Sequence, residues 1–269
     1  MQSADRTRGI TYLSEVDAFL PFEDLYLHVR SKEKRILDDS IVKQLPYVTK
    51  KMSVHSNEWK ARTRSFERMK KYFLSLQRPL NVMDLGCGNG WTAARLAEID
   101  SLNVSAVDVN RTELEQGARV FQHANLRFFF GNIFEEIFPA ASFDVILLNA
   151  CAQYFKDLRG LIDRLFFFLK DHGEIHIIDS PFYTRETVES ARQRTEVYYR
   201  SMGAEEMTAF YHHHTLETLT PYAFEFLSNK NFFSRLYASI SSDVPSNFIW
   251  IKIVKEISAG EQGMTAGDL

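Results

Sequence analysis

From residue 80 onward the chain alternates short apolar runs with stretches whose apolar residues recur every three or four positions. Residues 81–85, 103–109, 126–130, 143–148 and 174–178 have strand length and are rich in β-branched, leucine or aromatic side chains. The run 143–148 is apolar almost throughout, as a strand covered on both faces must be. Between these runs, residues 91–99 read as a helix, Asn110 with Glu113 three positions later predicts a capped helix start, and Leu158, Leu161, Ile162, Leu165 and Leu169 mark one helical face. Strands and helices alternating through short links predict an α/β fold. The expected architecture is a doubly wound, mainly parallel sheet with helices on both faces, binding its ligand beyond the carboxyl ends of the strands.

The flanks follow other patterns. Residues 1–58 mix small apolar groups with charge, such as Phe19-Leu20-Pro21-Phe22 and Leu25-Tyr26-Leu27, and predict short helices joined by loops, an N-terminal helical cap or lid. From Glu58, the residues Trp59, Phe66, Met69, Phe73 and Leu76 recur at helical spacing while Lys60, Arg62, Arg64, Lys70 and Lys71 fall largely elsewhere, an amphipathic helix ending near Arg78-Pro79. After Pro181 a helical stretch over about 184–201 precedes strand-like segments at 207–211 and 247–254. The division expected is a cap over 1–58, a main domain over 59–257 with a substrate-side insertion at 181–215, and a frayed tail over 258–269.

Composition narrows the class. A 25% charged and 45% hydrophobic chain of 269 residues is ordinary for a soluble globular protein, and a net charge of -3 gives no general attraction to nucleic acid or anionic lipid. Only Cys87 and Cys151 are present, each at the end of a different expected strand, so a reducing, cytoplasmic setting fits better than a disulfide framework. Residues 1–10 lack the apolar stretch of a signal peptide and no later run reaches membrane-spanning length, so no membrane association is expected.

The candidate chemistry centres on Val82-Met83-Asp84-Leu85-Gly86-Cys87-Gly88-Asn89-Gly90, a strand running into a glycine turn that opens a helix. Such glycines let backbone amides approach a ligand, and nicotinamide enzymes use the same device. A dinucleotide GxGxxG would need glycine where Trp91 stands. Asp84, at the end of the strand, would repel a pyrophosphate but suits a cationic amino-acid ligand, and Asp108, about twenty residues on, can accept the hydroxyls of a ribose.

In this combination, residues 59–180 resemble the class I S-adenosylmethionine-dependent methyltransferases. The resemblance implies S-adenosylmethionine as cofactor, a seven-stranded sheet and a reversed last strand near 247–254. It assigns Asp84, Gly86, Cys87 and Gly88 to the methionine part, Asp108 to the ribose, and Val109, Asn110, Asn132 and Ile133 to the adenine. Asn149 and Gln153 would line the passage between donor methyl and acceptor. The activity implied is methyl transfer to a small organic acceptor, which requires in-line alignment and exclusion of water more than a strong base. A non-catalytic donor-binding or regulatory protein, or a methyltransferase of RNA or protein, are the alternatives.

Acceptor-side candidates are Tyr154, Asp179, His212 and His214. In an extended run, His212 and His214 share one face and His213 points away, and no Cys or carboxylate accompanies them at ligand spacing, so no metal is expected. His176, between Ile175 and Ile177, reads as a hydrogen-bonded core histidine. Cys151 lacks the preceding proline of nucleophilic cysteines that act in base-carbon methylation. Trp59 and Arg62 lie on the helix that in related enzymes closes over the donor, while Tyr183, Tyr198, Tyr199, Phe210 and Tyr211 could roof a pocket. Oligomeric state is not readable from the chain.

Overall fold

A computed structural model of the chain describes residues 5–7, 9–227 and 249–255. In chain order, β1 (Asp5–Thr7) and β2 (Ile10–Tyr12) form a hairpin, followed by α1 (Leu20–Lys32), the single turn α2 (Asp39–Val42) and α3 (Ser56–Ser75). Then come β3 (Leu80–Leu85), α4 (Trp91–Leu96), β4 (Leu102–Asp108), α5 (Arg111–Val120), β5 (Leu126–Phe130), β6 (Phe143–Asn149), α6 (Leu158–Phe168) and β7 (Leu169–Ile178). The remainder holds β8 (Phe182–Tyr183), α7 (Val188–Ser201), β9 (His214–Thr215), β10 (Phe224–Phe226) and β11 (Trp250–Val254).

The main sheet runs β1-β2-β5-β4-β3-β6-β7-β11-β10. From β2 to β7 every pairing is parallel, and β11 is antiparallel to both β7 and β10. The chain steps outward from β3 through β4 to β5, then crosses back to β6 and β7. That reversal leaves a crevice beyond the carboxyl ends of β3 and β6, where α/β sheets bind ligands. Phe66, Met69 and Phe73 of α3, Leu96 of α4 and Leu114 of α5 belong to one buried cluster, and Leu161, Ile162 and Leu165 of α6 join Met83 and Ile146 in a second. The sheet is thus covered on both faces, which is why its central strands are apolar on both.

Three expectations change. The main sheet has nine strands among the described residues, because β1 and β2, expected as helical, extend the seven-stranded set of β3–β7, β10 and β11 past β5. The segment expected as a strand at 207–211 lies largely in a 3-10 helix, Glu205–Phe210, in which Met207 is buried beside Tyr199. The reversed last strand is Trp250–Val254; residues 247 and 248 and the expected tail 258–269 lie outside the described residues.

Two polar contacts fix the frame. His176 Nε2 lies 2.9 Å from Glu174 Oε2 and its Nδ1 accepts from Trp250 Nε1 at 2.8 Å, so the ring is the Nε2–H tautomer, held neutral by a burial that lowers its pKa. As the sequence suggested, it is a core histidine, here joining β7 to β11. Glu23 of α1 is buried, and its carboxylate accepts from the Arg111 amide at 3.1 Å, the Thr112 amide at 2.9 Å and the Thr112 hydroxyl. It satisfies orphan donors at the positive end of α5 and docks α1 on the main sheet's helical layer.

Candidate active site

The loop after β3 is shaped by backbone that only glycine adopts easily. Gly86, Gly88 and Gly90 have φ of +67°, +55° and +70°. At Gly86 the constraint is also steric, since a Cβ there would stand 2.6 Å from Cys151 Cβ. Gly86→Ala should therefore cost more than about 2 kcal/mol, combining left-handed strain with overlap in a packed site. Chemical denaturation measures it, and a loss below about 0.5 kcal/mol would mean that the loop yields freely.

The loop opens on a cavity of about 540 Å³ at the predicted crevice, a size typical of small-molecule sites. Asp84 lines it, fully buried, and neither carboxylate oxygen has a hydrogen-bond partner. Burial pushes its pKa up to about 7, and the Ala93 amide, which approaches without completing a hydrogen bond, offsets this only in part. Three further atoms of cavity-lining residues also lack a hydrogen-bond partner, Asn110 Nδ2, Asn149 Oδ1 and Arg35 Nε, the last with only an ion-pair approach of 3.2 Å to Glu33; Asn149 spends its amide nitrogen on Thr92 Oγ1 at 2.8 Å. Unpaired buried polar atoms are rare, so their convergence on one cavity points to a polar ligand.

Asp108 is cradled instead. Its Oδ2 accepts from the Gly88 amide at 2.7 Å, and its Oδ1 from the Val109 and Asn110 amides at 2.7 and 2.8 Å. Burial still raises its pKa against these three donors. Oδ1 is saturated by two amides, so the carboxylate keeps one accepting position, on Oδ2, rather than two. A second acid stands close by. Glu113 Oε2 lies 2.8 Å from where a Gly88 Cβ would sit, and Glu113 lines the cavity with a pKa raised to about 7 by burial, despite the opposing charge of Arg30.

Of the residues singled out in the sequence, Asp84, Gly86, Cys87, Gly88, Asp108, Val109, Asn110, Asn132, Ile133, Asn149 and Tyr154 line this one cavity, with Trp59 and Arg62. Gln153 does not; its Nε2 turns back to the Ala150 carbonyl at 2.7 Å. Asp179 also lies off the cavity lining. Its positive φ of +53° ends β7 in a turn, and its carboxyl is buried by α3, where Arg62 and Ser65 partly offset a pKa raised to about 6. His212 and His214 sit beyond the wall, on a separate surface hollow: the His212 amide bonds the Gln153 carbonyl at 2.7 Å and His214 Nε2 the Ala152 carbonyl at 3.0 Å. Burial lowers the pKa of both histidines. Cys151 donates to the Leu85 carbonyl at 3.0 Å, and burial raises its pKa well above the ordinary thiol value, leaving a packing residue rather than a nucleophile.

The segment between β2 and β3 supplies cavity residues that the sequence did not mark, Phe22, Tyr26 and Arg30 of α1, then Arg35 and His55, and α5 adds Glu113. Only the apolar grouping around Phe22 and Tyr26 hinted at a packed face. That it roofs the glycine loop depends on Glu23, whose partners are about ninety residues away. No helix of the described residues is long and apolar enough to cross a membrane.

The fold and this cavity define a doubly wound α/β domain of the kind that binds an adenosine-bearing cofactor through a glycine loop and an acidic second strand end. Residues 82–173 match the family model described as a methyltransferase domain. An uncharacterized methyltransferase of Mycobacterium tuberculosis is 36% identical over 84 residues, 31% of this chain and 42% of that one. A malonyl-[acyl-carrier protein] O-methyltransferase of Acetivibrio thermocellus is 30% identical over 95 residues, 35% of this chain and 33% of that one. The chain thus spans less than half the length of these curated relatives. Among solved structures, the YcgJ protein of Bacillus subtilis aligns with a TM-score of 0.54 at 16% identity, over 73% of this chain and all of that one, and shows the same fold. Residues 82–173 thus carry a methyltransferase domain, on the doubly wound fold of the class I S-adenosylmethionine-dependent kind.

Proposed function

We propose that this chain transfers a methyl group from S-adenosylmethionine to a small organic acceptor. The observation that carries the reading is the Asp84 carboxylate, fully buried and unpartnered in the cavity wall where β3 enters the glycine loop. Such a group needs a cation, and the methionine part of the donor offers an ammonium. Arg62, paired with Glu58 at 3.0 Å, is the nearby cation suited to its carboxylate. Asp108 Oδ2 keeps room for one ribose hydroxyl, and Glu113 takes the second. Val109, Asn132 and Ile133 frame the adenine, with the unsatisfied Asn110 amide as a donor to it.

Bound there, S-adenosylmethionine supplies an electrophilic methyl carbon on a sulfonium that is its own leaving group. The protein's work is then alignment and exclusion of water. Asn149 and Tyr154 stand at the end of β6 where the acceptor approaches, and the roof of α1 closes the cavity above them. Tyr154 keeps its proton, its pKa raised by burial, and so acts there as a hydrogen-bond donor.

Calorimetric titration with S-adenosylmethionine, S-adenosylhomocysteine and NADH tests the reading. Binding of both sulfur ligands in the micromolar range and none of NADH is expected. NADH binding alone would replace the methyltransferase by an oxidoreductase, and turnover of no acceptor by a chain that binds the donor would leave a binding protein.

A further inference from the structure

The acceptor side of the cavity is built from aromatic rings and one weakly neutralised cation. Phe22 lies 5.2 Å from Phe210 and 6.0 Å from Tyr154, and Tyr26 lies 5.7 Å from Tyr154, all as ring-centroid distances. All four rings line the cavity, on the Tyr154 side of the glycine loop. Arg30, one α-helical turn beyond Tyr26, stands 4.9 Å from that ring's centre and donates from Nε to the Tyr26 hydroxyl at 2.9 Å.

Charge distinguishes Arg30 from the other arginines there. Arg35 and Arg62 share Glu58, with hydrogen bonds of 3.0 Å each. Arg30 hydrogen-bonds a carboxylate only at 3.4 Å, from Nη1 to Glu33, at the long limit of a hydrogen bond and on a carboxylate that Arg35 also approaches at 3.2 Å, while Glu113 faces it through charge without a hydrogen bond. Hydrogen-bond polarity agrees. The lone pair of the Tyr26 oxygen that faces Arg30 is taken, so its O–H remains to donate, and burial raises the pKa of both Tyr26 and Tyr154, keeping their protons in place. The polar groups beside these rings, the Arg30 guanidinium and the Tyr26 and Tyr154 hydroxyls, are donors, with the acceptors Glu113 and Asn149 Oδ1 lying toward the methyl-donor side at α5 and the end of β6. A ligand whose polar end accepts hydrogen bonds and carries negative charge, on a flat apolar body, satisfies both the donors and the rings.

We propose that the acceptor is an organic anion with a planar, apolar body, its carboxylate or equivalent oxyanion anchored by Arg30. The proposal rests on the methyltransferase reading and goes beyond it by naming the acceptor class and the residue that selects it.

The test is calorimetry on the full chain saturated with S-adenosylhomocysteine, using 2-naphthoate and its neutral isostere 2-naphthamide as probes. The native chain should bind the carboxylate about tenfold or more tighter than the amide, the scale of one charge-assisted hydrogen bond. Arg30→Gln should erase that preference while leaving amide and S-adenosylhomocysteine affinities within about twofold of native, and Arg30→Lys should retain part of it. Retained amide binding also certifies that each variant is folded. Equal binding of the two probes, binding of neither, or a preference that survives in Arg30→Gln overturns the proposal alone. Loss of S-adenosylhomocysteine binding in Arg30→Gln overturns it by moving Arg30 to the donor. Failure of the native chain to bind S-adenosylhomocysteine removes the methyltransferase reading, and this proposal with it.

Discussion

Asp108→Ala is expected to lower affinity for S-adenosylmethionine by at least about 100-fold, because two losses coincide at one carboxylate. The first is the direct contact with a ribose hydroxyl. The second is internal. The Gly88, Val109 and Asn110 amides converge on Asp108 at 2.7 to 2.8 Å, and without it three donors in a buried turn lose their acceptor. The turn is then free to leave the shape that accepts the ligand. Asp108→Asn should fall between native and alanine: one oxygen can still accept from Val109 and Asn110, but the amide nitrogen then meets the Gly88 N–H donor to donor. Titration calorimetry of all three chains, with thermal melts to confirm folding, reads the series. An alanine variant within threefold of native would remove Asp108 from the donor site.

Donor affinity should also depend on pH, with a sign set by Asp84. Its pKa of about 7 before ligand binding means that the carboxyl is mostly neutral at pH 6 and mostly ionised at pH 8. Only the ionised form attracts an ammonium, so affinity should rise by about tenfold between those values, with protons released on binding near pH 7. Glu113, also near 7, adds in the same direction if its ionised form accepts the hydroxyl better. Asp84→Asn should bind about 10- to 100-fold more weakly at pH 8 and lose most of this slope. Folding stability moves oppositely. A carboxyl whose folded pKa is raised contributes most below its unfolded value, near 4, and that contribution is lost as pH rises toward 7. The ligand-free Asp84→Asn chain should therefore be more stable than native above pH 7, by roughly 1–3 kcal/mol. A native affinity flat from pH 6 to 8, with no proton release, would mean that Asp84 does not face the cation.

The α/β core was legible because its signals are local. Strands β3 to β7 are apolar runs separated by helical periodicity, and the Asn110 side chain caps α5 by accepting from the Glu113 amide at 2.9 Å, as its spacing indicated. The glycine loop likewise announces itself by composition. What stayed hidden depends on distant pairing. Asp5–Thr7 and Ile10–Tyr12 are three-residue strands with no room for alternation, and β2 is a strand because it pairs with β5 more than a hundred residues later. Arg30 reads as one charge among many on a helix until α1 is docked. Asp179 looked well placed at the end of β7, yet the left-handed turn there sends its carboxyl toward α3, a choice of one dihedral angle that residue type does not dictate. Of the reciprocal cap that Asn110 and Glu113 suggested, only one half forms: the Asn110 amide donates to Asp108 instead, and the Glu113 carboxylate lies over Gly88.

The contact between Glu23 and the start of α5 carries a further consequence. The amides it holds, at Arg111 and Thr112, follow directly on Asp108, Val109 and Asn110, so one short segment carries both the proposed ribose site and the anchor of the roof. Anything that firms this segment from the donor side firms the seating of α1, and with it the rings and the arginine that α1 presents. By reciprocity, an occupant under the roof must tighten the donor by the same factor. With donor and acceptor seated as proposed, the two are energetically coupled through five consecutive residues, and each should bind more tightly in the presence of the other.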